Sequence, residues 1–222
     1  MKKTTVLFDL DGTLVNTGEG VTKSVRHALG QLGIFETDQR RLERFIGPPL
    51  VESFAREYGF SEEKSNQAVA FFRQRYETVG VYECFLYPDV KSSLKRLREL
   101  GFELGVASSK REDFCHVVLE YLKLDQYFDL IGGASDAGAS TKIEVLEDVM
   151  KRLAIQDRSQ AVLIGDTKYD AQGASQAGID CIGVTYGFEQ DFDEMKKAGV
   201  LAIFDSLPQV VDFLENSQVE SQ

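Results

Sequence analysis

Histidine and cysteine are scarce in this chain of 222 residues, which has two of the first, His27 and His116, and three of the second, Cys84, Cys115 and Cys181. The cysteines are odd in number and far apart, with no CxxC. No clustered ligand set for a structural zinc ion exists, and three reduced thiols in a cytoplasmic protein are expected. Long apolar runs are also missing. Nothing approaches the roughly 18 residues of a membrane span, and Asp9 and Asp11 interrupt the apolar stretch 6–10, so no signal peptide is expected. Positive charge is short: 25 Lys and Arg stand against 36 Asp and Glu, a net charge of −11. That balance argues against a nucleic-acid polymer or an anionic membrane as partner. It leaves room for an anionic small molecule, because a pocket's local field can oppose the overall charge. Repeats and low-complexity segments are absent, and oligomeric state has no signature. With 43% hydrophobic and 27% charged residues, the chain is too apolar for disorder. A chain of this length buries roughly 70–75% of its unfolded surface.

Short apolar runs alternate with amphipathic stretches. Residues 6–8, 104–107, 130–131, 161–164, 181–184 and 202–204 are too short for helices and are bounded by Gly, Asp or Ser, which predicts buried strands. Between them, Val90, Leu94 and Leu97 make one helical stripe, Phe114, Val117, Val118, Tyr121 and Leu122 a second, and Ile143, Leu146, Met150 and Leu153 a third. These are core faces. Strand–helix alternation with continuously apolar strands implies an α/β fold with a doubly wound parallel sheet. Residues 16–81 carry helical patterns only, punctuated by Gly33, Gly47-Pro48-Pro49, Gly59 and Gly80. We therefore expect a small helical domain at 16–81 inserted after the first strand, with 1–15 and 82–222 forming the core. The tail after Asn216 is polar and expected to fray.

The candidate chemistry lies where strands end, the edge at which open parallel sheets bind ligands. The first strand runs into Asp9-Leu10-Asp11-Gly12-Thr13. Two carboxylates spaced i, i+2 there are costly without a cation or a shared proton. Gly12 suits a turn, and Thr13 could cap it or contact a bound anion. A plain Asp-Gly turn would look the same locally. The second strand ends in Ser108-Ser109-Lys110. The fourth ends in Gly165-Asp166, with Asp170 four residues on. Before the third helix stands Ser140-Thr141-Lys142, where Thr141 and Glu144 fit a capping box. That would put Lys142 in the helix's first turn, against the helix dipole. Each feature alone is common; together they gather acids, hydroxyls and a lysine at one sheet edge. Residues 133–138 look like half a P-loop, but Ala139 stands where its lysine belongs.

This set of motifs resembles the haloacid dehalogenase superfamily, in its phosphatase branch with a helical cap after the first strand. The resemblance spans nearly the whole chain through Asp9-Leu10-Asp11-Gly12-Thr13, Ser108, Lys142 and Gly165-Asp166 with Asp170. Phe45-Ile46-Gly47-Pro48-Pro49-Leu50, Leu86-Tyr87-Pro88-Asp89 and the stretch 178–186 are similar to the phosphoglycolate phosphatase-like and 5′-nucleotidase-like group. The small, polar stretch 133–141 departs from that group's basic one. The resemblance implies Asp9 as nucleophile, forming an aspartyl-phosphate, and Asp11 as general acid and base. It implies Mg²⁺ held by Asp9, the Asp11 carbonyl and Asp166. Lys142 and Ser108 would neutralise and orient the phosphoryl oxygens, and Asp170 would steady Lys142 or a metal-bound water from outside. The substrate would be a small phosphorylated metabolite, 2-phosphoglycolate or a nucleoside 5′-monophosphate, with sugar phosphomutase chemistry as the runner-up. Ser109 and Arg44 are candidate substrate contacts, and Phe45, Phe54 or Tyr58 could face a base. Lys110, Arg111 and Lys168, like Arg44, either contact substrate or are solvated, the solvated reading being favoured, and His27 is read as a surface residue.

Overall fold

In the computed structural model, described for residues 3–135, 141–189 and 192–219, the chain divides into two compact units: Met1–Val15 with Leu86–Gln222, and Asn16–Phe85. The strands are β1 (Thr5–Phe8), β2 (Val15–Asn16), β3 (Phe85–Leu86), β4 (Glu103–Arg111), β5 (Leu130–Ala134), β6 (Ala161–Gly165), β7 (Asp180–Val184) and β8 (Ala202–Phe204). The helices are α1 (Gly18–Gln31), α2 (Gln39–Glu43), α3 (Leu50–Tyr58), α4 (Glu62–Tyr76), α5 (Val90–Glu99), α6 (Glu112–Tyr121), α7 (Lys142–Arg152), α8 (Lys168–Ala177), α9 (Phe192–Lys197) and α10 (Leu207–Val219).

The larger unit holds a six-stranded sheet in the order β5-β4-β1-β6-β7-β8, every pair parallel. Each expected apolar run lies in one of its strands. β1 occupies the middle, and Val6, Leu7 and Phe8 are all fully buried. Such a strand must be apolar on both faces, so its sequence shows no alternation. Leu7, Ala107 and Leu163 pack against Val145, Leu146 and Val149 of α7 and Ala171, Ala174 and Ala177 of α8. Truncating one of these large side chains to Ala costs about 2–5 kcal/mol. The strand register brings two chain exits together. Phe8 is level with Val106 on β4 and with Ile164 on β6, so β1 and β6 end at nearly the same height while β4 runs on beside β5 to Arg111.

The smaller unit is helical, built from α1 to α4. Its return boundary falls at Phe85–Leu86 rather than at 81–82, because the 3-10 turn Gly80–Tyr82 packs on α1. Phe45, Phe54 and Phe60 make its core: the rings of Phe45 and Phe54 meet edge-on at 4.8 Å, and those of Phe54 and Phe60 stack at 6.0 Å. His27 is half-buried on α1. The expected fraying after Asn216 is not seen up to Val219, where α10 continues; residues 220–222 lie outside the described residues. Among the described residues no helix is long and apolar enough to cross a membrane.

Candidate active site

Two helix caps and two strand ends place the acids. α7 begins with a complete capping box between Thr141 and Glu144, which sets Lys142 at the first helical position. α8 begins with a second box between Thr167 and Asp170. Asp170 is thereby fixed, its Oδ2 accepting from the Thr167 amide at 3.0 Å and the Thr167 hydroxyl at 2.7 Å. Its other oxygen, Oδ1, lies 2.7 Å from the Lys142 ammonium. Lys142 Nζ also donates to Asp9 Oδ1 and to the Ala107 carbonyl, both at 2.7 Å. Its three protons thus meet three acceptors. A lysine that opposes its own helix dipole is held there by two carboxylates from β1 and α8.

Asp166 is completely buried. Its Oδ2 accepts from the Phe188 amide at 2.8 Å and its Oδ1 from the Thr13 hydroxyl at 3.2 Å. The loop carrying Phe188 is tied back by the Tyr186 hydroxyl, which donates to the Thr13 carbonyl at 2.9 Å. Gly12 (φ +89°) and Gly187 press on the same carboxylate from two loops; a Cβ at either would lie 2.2 Å from Asp166 Oδ2. Thr13 is fully buried, so it secures Asp166 and does not serve as the cap or anion contact that sequence suggested.

One carboxylate oxygen from each of Asp9, Asp166 and Asp170 lies within 4.8 Å of the other two. Burial pushes the Asp9 carboxyl up to about 7 against the pull of Lys142, and Asp170 and Asp11 add to the rise. Asp166 is raised as well, by burial first and then by Asp170 and Asp9. For Lys142, burial works the other way, but Asp170 and Asp9 outweigh it and hold the ammonium above its ordinary value. Three buried hard-oxygen donors, two of them with raised carboxyls, fit a small divalent cation.

Ser108 is buried in β4 just beyond the stretch level with β1, its hydroxyl accepting from the Lys110 amide at 3.3 Å, and Ser109 is half-buried. Lys110 is not the solvated residue sequence suggested. Its ammonium lies 2.9 Å from Asp11 Oδ2, with both side chains under a tenth exposed. The spacing of Ser108 and Lys110, i, i+2 as in Asp9 and Asp11, was the signal that could have found it. Arg111 pairs with Asp113 and covers the Phe114 ring. Lys168 is half-buried, its ammonium 5.9 Å from the Tyr169 ring. Arg44 belongs to the helical unit, 65% exposed, and pairs with Glu57 at 3.2 Å. Phe45 and Phe54 are core residues of that unit, and Tyr58 donates to Glu36 at 2.9 Å. None of the three aromatics offers the free surface expected of a base-binding residue. Ser140, Ala139 and the remaining half of the P-loop-like stretch lie outside the described residues.

Residues 6–184 match a family model described as haloacid dehalogenase-like hydrolase. The chain is 39% identical to a 5′-nucleotidase of Pseudomonas aeruginosa, over 86% of each chain. It is 32% identical to a phosphoglycolate phosphatase of Colwellia psychrerythraea, over 86% of this chain and 88% of that one. It is also 33% identical to the tyrosine-protein kinase PtkA of Mycobacterium tuberculosis, over 82% of this chain but 62% of the kinase. A crystal structure of a predicted phosphatase from Clostridium acetobutylicum superposes with a TM-score of 0.92 at 39% identity, covering 96% of this chain and 99% of that one.

Proposed function

Because the chain belongs to the haloacid dehalogenase-like hydrolase family, we propose that it is a magnesium-dependent phosphatase that hydrolyses small phosphomonoesters through an aspartyl-phosphate on Asp9. The observation that carries this reading is a charge deficit. Asp9, Asp11, Asp166 and Asp170 are buried together against two lysines among the described residues, Lys110 and Lys142; fully ionised they would leave 2 − 4 = −2, and the raised carboxyls of Asp9 and Asp166 are the mark of that unmet deficit. A site built for neutrality would not stop there; one that takes a divalent cation would. Asp9, the Asp11 carbonyl and Asp166 would hold Mg²⁺, which supplies charge neutralisation at the phosphoryl oxygens when bound.

Asp9 is the nucleophile: its carboxylate oxygen attacks phosphorus while the bond to the leaving oxygen breaks. Asp11 gives its proton to that oxygen. Water then attacks the phosphorus of the acyl-phosphate and passes a proton to Asp11, which restores Asp9. Lys142 fixes the Asp9 carboxylate, and Ser108 of β4 orients the phosphoryl group. Asp170 keeps Lys142 in place from behind. Leaving-group selection is assigned to the helical unit, with 2-phosphoglycolate as the substrate and Arg44 as the cation for its carboxylate. A nucleoside 5′-monophosphate is the second reading, favoured by the 39% identity to a 5′-nucleotidase. The experiment is steady-state hydrolysis of both compounds, with and without a chelator, for the parent and Arg44→Ala. Activity that survives the chelator overturns the metal dependence. A preference for the nucleotide, unchanged by Arg44→Ala, overturns the choice of substrate.

A further inference from the structure

Phosphoryl transfer through Asp9, Asp11, Ser108 and Lys142 leaves Lys110 without a task. Its side chain is 8% exposed. Burying an ammonium is expensive unless it is paired, and an apolar residue of similar size would stabilise the fold at least as well. Stability therefore does not account for it. The backbone beneath it is equally unusual. Along β4 and β5, Ser108 pairs with Gly133 but Arg111 with Ala134, so Ser109 and Lys110 are extra residues on the β4 side. Such bulges re-aim side chains and are frequent beside active sites.

This bulge is held at both ends. The Lys110 amide donates to Ser108 Oγ at 3.3 Å, and its carbonyl accepts from Cys115 Sγ at 3.6 Å. It also depends on Gly133: a Cβ there would lie 2.5 Å from the Lys110 carbonyl oxygen and 2.7 Å from the Glu112 amide nitrogen. The result of this local construction is the 2.9 Å contact between Lys110 Nζ and Asp11 Oδ2. Asp11 itself leaves β1 in a tight turn, with Gly12 N donating to the Val15 carbonyl at 2.9 Å. The turn fixes its backbone and leaves the direction of its carboxyl group to its neighbours.

We propose that Lys110 is a positioning residue for Asp11, pinning Oδ2 so that the carboxyl group stays directed at the leaving oxygen. This rests on the reading of Asp11 as proton donor. In the first half-reaction an Asp9 oxygen bonds to phosphorus. The phosphorus–leaving-oxygen bond breaks with its electron pair going to the leaving oxygen, and the Asp11 proton moves to that oxygen. Lys110 makes and breaks no covalent bond. It acts only through Asp11, so its contribution grows with the need for a proton. An activated aryl phosphate leaves without one; an unactivated one does not.

The test is a series of substituted phenyl phosphates, from p-nitrophenyl to unsubstituted phenyl, on the parent, Lys110→Met, Lys110→Arg, Asp11→Asn and the Lys110→Met/Asp11→Asn double variant, all saturated with Mg²⁺. Lys110→Met should lose kcat progressively toward the unactivated end, by roughly tenfold there as a share of the ~10²–10⁴-fold worth of a general acid. KM should change little, and Lys110→Arg should recover most of the loss. In the Asp11→Asn background the same substitution should do nothing further. A uniform rise in KM along the series, or an effect that persists in the double variant, overturns the proposal, because Lys110 would then bind the phosphoryl group or serve the fold alone. A flat loss for Asp11→Asn would instead overturn Asp11 as proton donor. Should Lys110→Met fail to fold, Lys110→Gln, uncharged and one atom shorter so that it no longer pins Asp11 Oδ2, carries the same cycle with the same outcomes.

Discussion

Among the charge clusters of the described residues, two, one in each unit, are built on opposite principles. In the helical unit Glu36 and Glu57 are answered by Arg41, Arg44 and Arg56, whose side chains remain 37%, 65% and 45% exposed. Every acid of this cluster is matched by an arginine that reaches the surface. For Glu57, burial works to raise the carboxyl, but Arg56 and Arg44 outweigh it and hold it below the usual carboxylate range; the Asp38 amide and the Tyr58 hydroxyl lower Glu36. At the sheet edge Asp9 and Asp166 are raised instead, in a cluster whose side chains are all a tenth exposed or less. Paired charges at a surface contribute little, about 0–1 kcal/mol each, and mark nothing. Buried charges left out of balance are costly, and a fold retains them where chemistry needs them.

The contrast can be broken most severely at Asp9. Asp9→Asn should abolish turnover of p-nitrophenyl phosphate, since an amide cannot form the acyl-phosphate, whereas Asp11→Asn should retain a residue of activity reduced by ~10²–10⁴-fold. Calorimetric titration of Mg²⁺ should separate the acids further: Asp166→Asn loses binding, and Asp11→Asn keeps it because residue 11 would contribute its carbonyl.

Next in size is the response to pH. The Asp9 carboxyl, raised to about 7, holds its proton below that value, and a metal ion must displace the proton in order to bind. Mg²⁺ affinity should therefore be full above about pH 7 and weaken as pH falls, by up to about tenfold per unit for one displaced proton. An affinity flat from pH 8 to 5.5 would remove Asp9 from the ligand set. A smaller change is expected in the helical unit. Glu57→Gln should cost about 1 kcal/mol in thermal or denaturant unfolding and, by releasing Arg44, lower KM for 2-phosphoglycolate if Arg44 reads its carboxylate. The smallest effect concerns the thiols. Burial pushes Cys115 and Cys181 up, so an aromatic disulfide reagent at pH 8 should modify half-buried Cys84 first, and the other two only on unfolding.

How legible each feature was in the sequence depends on how local it is. The six strands of the sheet could be read because a central parallel strand is apolar on both faces; Val6, Leu7 and Phe8 announce themselves without a partner. The capping box at Thr141 is a four-residue pattern, and it placed Lys142 correctly. The spacing of Asp9 and Asp11 is equally local. Lys110 was missed because a bulge is a property of two strands, and Gly133, which admits it, lies 23 residues further on. Thr13 was assigned to a turn or an anion because its partner, Asp166, is 153 residues away. Phe45 and Phe54 looked like candidate binding surface because the sequence does not say that an aromatic of the turn after α2 meets one on α3. The two-residue pairing of β2 with β3, where the chain passes between its units, carried too little pattern to be seen.

The place of β1 has a consequence for how the molecule comes into being. Within this sheet it is the first strand to be synthesised, yet its two neighbours arrive late: Thr5 pairs with Glu103, 98 residues on, and with Ala161, later still. Everything from Asn16 to Phe85 can meanwhile settle among its own helices through nearby contacts. The strand that carries the nucleophile has to wait, apolar on both sides, until most of the chain exists, and closing those long loops is a slow step. Its exposure during that wait is the interval in which an unpaired strand edge is open to wrong partners. The same residues that make the mature centre so firmly seated make the nascent chain dependent on reaching β6.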